Sequence, residues 1–405
     1  MSELPPLGLY LHFPWCVRKC PYCDFNSFAL HGELAEGPYV EALIEDLSQQ
    51  TAALQERSID SIFLGGGTPS LFSPAALSDL LREVGRRCPV ALDAEVTLEA
   101  NPGTVERGRF ADYRAAGLNR VSLGAQSFDD RQLERLGRVH RSADTTRAAE
   151  ELHAAGIGNF NLDLMYGLPQ QSLDEALSDL GCAVALRPAH LSHYQLTLEP
   201  GTVFAGQPPA GMPDTDQAGD MQAACQALLL GAGYRQYEVS AYARDGACSR
   251  HNLNYWQFGD YLGVGAGAHG KCSYRGADGA LMIRRTTRPR EPRRYLAEIG
   301  QRQAVTEQHV PTSDLPFEFL LNALRLVSGF EPALFEQRTG LPVTILTSRL
   351  EQAGRDGLLE YGLPEQGQGQ GHWRATPRGM NFLNDLLERF LGDLSDNRKL
   401  AVGQF

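Results

Sequence analysis

The sequence predicts an α/β fold, a partial (β/α)6-type barrel with extra strands and a C-terminal winged-helix-like α domain. Over the first 200 residues, short apolar strands alternate with helical segments of about a dozen residues or more, which favours a parallel sheet covered by helices. Polar and glycine residues cluster where the predicted strands end. In a β/α barrel those ends assemble one site, although an open doubly wound sheet would also gather ligands there.

The predicted elements follow each other regularly along the chain. Ser73 is a helix N-cap residue, and Pro74 suits the first helical position after it. The predicted strands lie at 10–14, 61–70, 95–102, 120–128, 159–169 and 190–200. The predicted helices lie at 38–57, 73–86, 104–116, 129–137, 142–155, 172–186 and 216–232.

The chain divides into a core barrel at 1–200, a barrel extension at 201–304, a helical domain at 305–390 and a tail at 391–405. We expect the loop-rich segment 201–215 to pass over the site, and residues 234–243 have a strand-like alternation. Helical patterns at 316–326, 332–340 and 345–361, with a hairpin across 365–371, are typical of a winged helix. Acidic residues outnumber basic ones there, which favours packing against the barrel or a protein over DNA binding.

Composition indicates an ordinary globular chain. The 405 residues include 42% apolar and 21% charged residues, and the net charge of −12 argues against a general nucleic-acid role. No apolar run reaches the length of a membrane span, and the N-terminus lacks the pattern of a secretion signal, so we expect a cytoplasmic protein. Five scattered cysteines suggest reduced thiols.

Three further cysteines, Cys16, Cys20 and Cys23, have the spacing C-x3-C-x2-C in a loop after the first strand. Three thiolates so close together can hold an iron–sulfur cluster. A zinc site would need a fourth ligand such as His12 or Asp24, and a disulfide would leave one cysteine idle. Three ligands on a four-iron cube leave one iron open, and an open metal position is typical of catalytic sites.

Other polar residues at the predicted barrel mouth suit a polar ligand. The glycine loop 65–69 either forms a tight turn or lets a ligand approach the backbone. Glu99 and Asp163 are carboxylates that could accept from a ribose diol, or they could be N-caps or solvated rim residues. Arg138 could face a carboxylate with its planar fork, or it could lie on a helix surface.

These motifs together resemble the radical S-adenosylmethionine (SAM) proteins and, within them, the oxygen-independent coproporphyrinogen III oxidase (HemN-like) family. The resemblance rests on YLHFPWC, GGGTPS, LEANP, GAQSF with LGRVH, and NLDLMYGLP, which span most of the first 200 residues. It implies a 4Fe-4S cluster on the three cysteines and SAM on its open iron. It also implies SAM-pocket contacts from Tyr10, Tyr22, Gly66, Gly67, Thr68, Glu99, Gln126, Arg138, Asp163 and Thr197.

Two features depart from the oxidase pattern. Phe25 stands where the oxidase loop has a fourth cysteine, and the chain reaches its cysteine loop without the oxidase's N-terminal extension. The motif HNLNYW at 251–256 is instead similar to the heme-chaperone branch of the family. An imidazole can ligate heme iron, and the aromatic rings offer flat apolar surface. His251 could equally be a structural histidine, and His269 is a second candidate ligand.

The resemblance implies a chaperone that binds heme and transfers it to apo-hemoproteins of respiration or heme storage. It also implies a homodimer and peripheral membrane association through clients. Because bound heme must leave, we expect a single exposed axial histidine. The two departures from the oxidase pattern argue against coproporphyrinogen oxidase activity. The alternatives are radical decarboxylation of coproporphyrinogen III, or a cluster protein that only transfers electrons.

Overall fold

The computed structural model describes residues 4–103, 108–301, 304–363 and 371–391. Within these ranges the strands are β1 (Leu7–Phe13), β2 (Trp15–Cys16), β3 (Phe28–Ala29), β4 (Ile59–Gly66), β5 (Val90–Ala100), β6 (Arg120–Gln126), β7 (Phe160–Tyr166), β8 (His190–Gln195), β9 (Arg235–Glu238), β10 (Ala241–Ala243), β11 (Asp260–Val264), β12 (His269–Arg275), β13 (Leu281–Thr287), β14 (Thr306–His309), β15 (Leu359–Gly362) and β16 (His372–Ala375).

Helices follow most of the parallel strands. In the same ranges they are α1 (Glu36–Gln50), α2 (Pro74–Arg87), α3 (Phe110–Ala115), α4 (Asp130–Arg135), α5 (Ser142–Ala154), α6 (Leu173–Ala185), α7 (Val203–Gly206), α8 (Thr215–Gly231), α9 (Arg250–Trp256), α10 (Pro292–Glu298), α11 (Leu315–Ala323), α12 (Pro332–Thr339), α13 (Thr347–Arg355), α14 (Pro377–Asn381) and α15 (Leu383–Glu388). None of these helices is both long and apolar enough to cross a bilayer.

A single large sheet carries the fold. Its order among the described residues is β14-β13-β12-β11-β1-β4-β5-β6-β7-β8-β10-β9. The run from β11 through β8 is parallel, and antiparallel strands extend it at both ends. The six strands predicted from the sequence are β1, β4, β5, β6, β7 and β8, in sequential order.

Sequential order distinguishes the barrel-type winding from a doubly wound sheet. In a doubly wound sheet the strand order reverses at a switch point, whereas here each crossover from β1 to β8 moves in one direction. The structure adds a seventh parallel strand, β11, on the free edge of β1. The sequence does not predict β11, because this strand has only five residues and lies between a helix and a glycine-rich turn.

Alternation along β1 separates the core from the site. Leu9 and Leu11 join Leu43 and Leu47 of α1 in the main apolar core. Because successive strand side chains point to opposite faces, Tyr10 and His12 face the inside of the curved sheet. The strand therefore supplies both the apolar packing and the polar lining of the mouth.

The helix caps follow the sequence. Ser73 is the N-cap of α2, its hydroxyl accepts from the Ala76 amide at 3.2 Å, and Pro74 begins the helix, as predicted. The Ser73 hydroxyl also donates to Glu36 at 2.8 Å, which ties α2 to the start of α1. The two helices are therefore held together on the outside of the sheet.

A second apolar core joins the C-terminal helices. Phe319, Phe330 and Phe335 are its buried aromatic centre, and Phe258 and Ile283 reach it from the preceding segment. The backbone of residues 325–327 hydrogen-bonds residues 237–239 at 3.0 and 3.1 Å. These contacts show the C-terminal helices packed against the barrel extension, which is the arrangement that the acidic composition favours.

Some predicted boundaries differ. The helix predicted at 345–361 ends at Arg355, and β15 begins at Leu359 and pairs with β16 in the expected hairpin. The helix predicted at 104–116 covers Phe110–Ala115. Residues 104–107, the run 364–370 inside the hairpin and nearly all of the predicted tail lie outside the described residues. The four domain boundaries stay predictions.

Candidate functional site

The cysteine loop begins two residues after β1. Cys16 lies in β2, which pairs with β3 at Trp15↔Phe28 and Cys16↔Ala29. The Cys23 amide donates to the Cys20 carbonyl at 3.2 Å, so the chain turns between these two residues. All three cysteines are partly exposed free thiols. The loop thus presents three thiols at the end of the first parallel strand.

Each thiol has polar neighbours. The Cys23 sulfur lies 3.8 Å from the Ser27 hydroxyl, and the Cys20 sulfur accepts from Arg138 at 3.6 Å. Burial raises the pKa of Cys16, and hydrogen bonds from Thr68 and Ser27 partly oppose that rise. Among the described residues no three Cys, His, Asp or Glu side chains converge on one point. A cube does not require this, since each thiolate binds a different iron.

His12 is not placed to complete a zinc site. Its Nδ1 lies 3.0 Å from the Tyr10 hydroxyl and its Nε2 lies 2.9 Å from the Asn26 carbonyl oxygen. Burial lowers the pKa of His12 to about 4, so the ring is neutral near pH 7. Both ring nitrogens are engaged, and His12 instead links β1 to the end of the cysteine loop.

The glycine loop packs directly against β1 and the cysteine loop. A Cβ on Gly66, where φ is +107°, would lie 2.3 Å from the His12 ring. A Cβ on Gly67 would lie 2.6 Å from the Trp15 carbonyl oxygen. The amides of Gly67 and Thr68 donate to Phe13 and Trp15 at 2.7 and 2.8 Å. The glycines therefore permit close backbone approach, and these amides are already paired within the protein.

Glu99 lies at the end of β5, beside the glycine loop. Its Oε2 accepts from the Gly66 amide at 2.9 Å. Burial raises the pKa of Glu99 to about 7, the Gly66 amide opposes that rise and the charge of Asp163 adds to it. No ion pair of Glu99 or Asp163 is found among the described side chains, although the Arg120 charge lowers the pKa of Asp163. Two partly buried carboxylates without an ion-pair partner suit a positively charged, hydroxyl-bearing ligand.

Asp163 is held by neighbours on three strands. Ser122 donates to its Oδ2 at 3.1 Å and Asn161 donates to its Oδ1 at 2.7 Å. Burial raises the pKa of Asp163, while hydrogen bonds from Asn161, Ser192 and Ser122 hold it down in part. Glu99 lies within β5 and Asp163 within β7, and neither side chain is exposed, so the N-cap and solvated-rim alternatives do not describe them.

Gln126 is the last residue of β6, and Arg138 lies just after α4. The Nη2 of Arg138 donates to the Gly124 carbonyl at 2.9 Å and also to Asn101. Gln126 has a φ of +66° and its Oε1 accepts from the Tyr194 hydroxyl at 3.0 Å. Arg138 therefore points into the mouth and not out from a helix surface.

Of the remaining predicted SAM contacts, Tyr10 and Tyr22 have neighbours at the mouth and Thr197 is exposed. The Tyr10 hydroxyl lies in the mouth beside His12, and burial raises its pKa well above its usual range. The Tyr22 ring packs 6.3 Å from Phe204, whose amide donates to the Pro21 carbonyl at 3.0 Å. The segment after β8 thus contacts the cysteine loop, as predicted. Thr197 is exposed, and no hydrogen bond of its hydroxyl is found in the described part of the chain.

His251 lies deep in the barrel, with its ring 6.4 Å from the ring of Tyr10. Its amide donates to Glu95 at 3.1 Å, its Nδ1 lies 2.8 Å from the Ser61 hydroxyl, and its Nε2 has no hydrogen-bond partner among the described residues. Only 2% of His251 is exposed, and burial, aided by the Arg120 charge, lowers its pKa to about 3. The prediction of an exposed axial histidine is therefore wrong for His251.

Aromatic rings surround this histidine, and Tyr255 of its own motif is one of them. The His251 ring stacks on Phe63 at 5.1 Å and meets the Tyr255 edge at 5.0 Å. The Arg325 guanidinium lies 4.4 Å from the Trp256 ring. His269, the second candidate, is exposed where β12 begins, and burial followed by the charges of Arg285, Arg288 and Arg290 lowers its pKa.

Several residues of the mouth were missed by sequence reasoning. These are Asn101, which bonds Thr68 at 2.8 Å as well as Arg138, and the polar partners Ser122, Asn161 and Tyr194. Asn101 directly precedes a proline in the LEANP motif. Asn161 lies two residues before Asp163 in β7, and Ser122 lies four residues before Gln126 in β6, so each faces the same side of the sheet as a predicted site residue. This alternation was the available signal, but it does not say which inward-facing side chains touch.

The donor set fits the groups that the family resemblance implies. Three soft thiols at one strand end suit iron, and the carboxylates of Glu99, beside the glycine loop, and of Asp163 suit a cationic nucleoside such as SAM. The cysteines would hold the cluster, and Glu99 and Asp163 would receive polar groups of SAM. When bound, the cluster supplies one-electron chemistry and an open iron; the chain supplies orientation and shielding from water.

Comparison with known proteins agrees with this geometry. The chain matches the radical SAM superfamily over residues 10–180 and the HemN C-terminal domain over residues 310–382. It is 48% identical to heme chaperone HemW of Escherichia coli (strain K12), over 97% of this chain and 100% of that protein. It is 45% identical to heme chaperone HemW of Haemophilus influenzae, over 96% of this chain and 99% of that one.

The fold also has a solved counterpart. Coproporphyrinogen III oxidase (HemN) from Escherichia coli superposes with a TM-score of 0.78 at 21% identity, covering 96% of this chain and 90% of that chain. At that identity the likeness shows the fold. The radical SAM domain supports binding of a 4Fe-4S cluster and SAM. From its end-to-end similarity to the two HemW proteins, the chain belongs to the HemW family of radical SAM proteins.

Proposed function

We propose that this protein is a heme chaperone, which binds heme and transfers it to apo-hemoproteins while carrying a 4Fe-4S cluster and SAM. One observation carries the proposal: proteins named heme chaperone HemW align with the chain over nearly its full length at 45 to 48% identity. Phe25, in place of a fourth loop cysteine, supports a chaperone over an oxidase. The oxidase likeness shows the fold alone.

The proposal assigns the cofactors to the mouth described above. Cys16, Cys20 and Cys23 hold the cluster. SAM lies against the glycine loop and the strand ends, with contacts from Tyr10, Tyr22, Gly66, Gly67, Thr68, Glu99, Gln126, Arg138, Asp163 and Thr197. Burial raises the pKa of Glu99, and no cation among the described side chains opposes that rise, which supports this placement because an opposite charge stabilises a buried carboxylate.

His251 is the proposed heme ligand. Its support is the Nε2 atom, which is buried and unpaired among the described residues, in a ring that stays neutral at physiological pH. A neutral imidazole nitrogen is the form that ligates iron. Because Phe63, Tyr255 and Gly8 enclose the ring, ligation of iron by His251 requires these neighbours to rearrange. His269 is the competing ligand, since its side chain is exposed.

The proposal also includes a cytoplasmic location, hemoprotein clients of respiration or heme storage, a homodimer, and membrane association only through clients. The HemW names support heme and hemoprotein partners in general. Size-exclusion chromatography with light scattering, with and without the cluster, tests the dimer.

The deciding experiment is anaerobic reconstitution of the cluster, followed by parallel heme titration and coproporphyrinogen oxidase assay. A chaperone binds heme in a defined ratio, passes it to an apo-hemoprotein and forms no protoporphyrinogen. Protoporphyrinogen and carbon dioxide would establish the oxidase instead. A cluster whose EPR signal ignores SAM, with no heme bound, would leave only electron transfer.

A further inference from the structure

Arg138 contacts a cysteine of the cluster loop directly. Its Nη1 donates to the Cys20 sulfur at 3.6 Å. Its Nη2 is fixed by the Gly124 carbonyl oxygen at 2.9 Å and by the Asn101 side chain. The two ends of the guanidinium thus have different partners, and one end anchors the group while the other faces the sulfur.

The three cysteines differ in this respect. Cys16 has hydroxyl neighbours, Thr68 and Ser27, and Cys23 shares the Ser27 hydroxyl at 3.8 Å. These donors are neutral. Among the described residues Cys20 alone accepts a side-chain hydrogen bond from a cation, and its second donor is the neutral phenol of Tyr22.

We propose that Arg138 raises the reduction potential of the cluster through Cys20. A hydrogen bond donated to a ligand sulfur withdraws electron density from the iron, and a nearby positive charge stabilises the extra electron of the reduced cluster. Both effects favour reduction. Because the contact has a low-dielectric, partly buried setting, solvent screens it less than it would at the surface.

This role is separate from a contact with SAM. A residue that only binds SAM changes nothing in the protein without SAM, whereas a guanidinium bonded to Cys20 acts on the cluster at all times. Its anchoring by Gly124 and Asn101 requires no ligand. The inference rests on the cluster of the radical SAM domain and not on heme binding, so it can fail while the chaperone proposal stands.

The test is an EPR-monitored redox titration of the anaerobically reconstituted full-length protein without SAM. Arg138→Gln should move the midpoint potential to a more negative value at unchanged iron content. Arg138→Lys, which keeps the charge but loses the planar fork, should move it less. Tyr22→Phe, which removes the neutral donor to Cys20, should give a small shift in the same direction.

The matched control is Arg141→Gln. Arg141 lies three residues further on, its side chain is exposed and pairs with Asp130 at 3.4 Å, and it should leave the potential unchanged. An unchanged potential in Arg138→Gln overturns the proposal, even if SAM affinity falls. If Arg138→Gln loses its iron, Arg138→Lys decides in its place, and a potential equal to that of the unaltered protein overturns it.

Discussion

The Nδ1 atom of His251 lies 2.8 Å from the hydroxyl oxygen of Ser61, near the amino-terminal ends of the parallel strands and far along β4 from the glycine loop. Ser61 lies near the start of the same strand that ends at Gly66. The histidine of the HNLNYW motif therefore lies beneath the predicted SAM pocket, enclosed by the rings of Tyr10, Phe63 and Tyr255.

The first prediction concerns this histidine. His251→Ala should weaken heme binding by at least about tenfold and leave iron content unchanged, because the ring hydrogen-bonds Ser61 and none of the three cysteines. It should also cost on the order of 2–4 kcal/mol of stability, since a buried ring and its hydrogen bond are lost. Heme titration by absorbance, with calorimetric unfolding alongside, measures both.

Two control variants separate ligation from packing. Ser61→Ala removes the hydrogen bond to Nδ1 and keeps the imidazole, so heme binding should persist. His269→Ala removes the exposed competitor. If heme affinity follows His269 and is unaffected at His251, the ligand assignment is wrong.

The second prediction follows from Glu99. Its pKa is raised from an ordinary value near 4.5 to about 7 in the folded protein, so its stabilising effect is complete below pH ~4.5 and is lost as the pH rises through about 7. Without SAM, the protein should lose on the order of 2 kcal/mol from this group between pH 5 and 8. Glu99→Gln should remove that part of the pH dependence.

Calorimetric unfolding of both proteins at a series of pH values measures the difference. Asp179, whose pKa burial also raises, is common to both and cancels, whereas the difference includes the interaction of Glu99 with Asp163. Parallel stability curves for the two proteins would show that Glu99 does not titrate in this range. Added SAM should stabilise the unaltered protein more than the variant.

The third prediction concerns Gly66. An alanine Cβ there would lie 2.3 Å from the His12 ring, at a φ of +107° that L residues rarely adopt. Gly66→Ala should therefore cost about 3 kcal/mol or more and reduce cluster retention, because His12 ties β1 to Asn26. Urea unfolding and iron content after reconstitution measure the two effects.

Gly201→Ala is the matched control. Gly201 has a φ of +85°, but no heavy atom lies within 4 Å of the position that an alanine methyl group would occupy, so only the backbone cost remains, about 1 kcal/mol. Equal losses in the two variants would mean that crowding against His12 contributes nothing.

The fourth prediction concerns a buried ion pair. Asp46 and Arg288, both with fully buried side chains, lie 3.0 Å apart, and Asp46 also accepts from the Gly265 amide and the Tyr295 hydroxyl at 3.1 Å. Asp46→Ala leaves the guanidinium uncompensated and should cost about 3–5 kcal/mol. The change should appear in urea unfolding.

The exposed pair Arg82–Asp79, at 2.7 Å, provides the comparison. Asp79→Ala should cost less than about 1 kcal/mol, because water screens surface ion pairs. A small loss for Asp46→Ala would indicate that the turn after β11 is held by its backbone contacts alone.

The sequence by itself determined the order of the six parallel strands, the cap at Ser73, the cysteine loop and the family. Those features depend on local signals: apolar runs, glycine and proline positions, and fixed spacings between cysteines. Glu99, Asp163 and Arg138 could be placed at the mouth because parallel strands end on one side of the sheet.

Only the tertiary structure decided which side chains meet. The pairing of β11 with β1, the Arg138 contact with Cys20, and the burial of His251 under Phe63 join residues 118 to 253 positions apart. No local pattern encodes such contacts, since they depend on the curvature of the whole sheet. For His251 this made the difference between a histidine expected at the surface and one enclosed in the barrel.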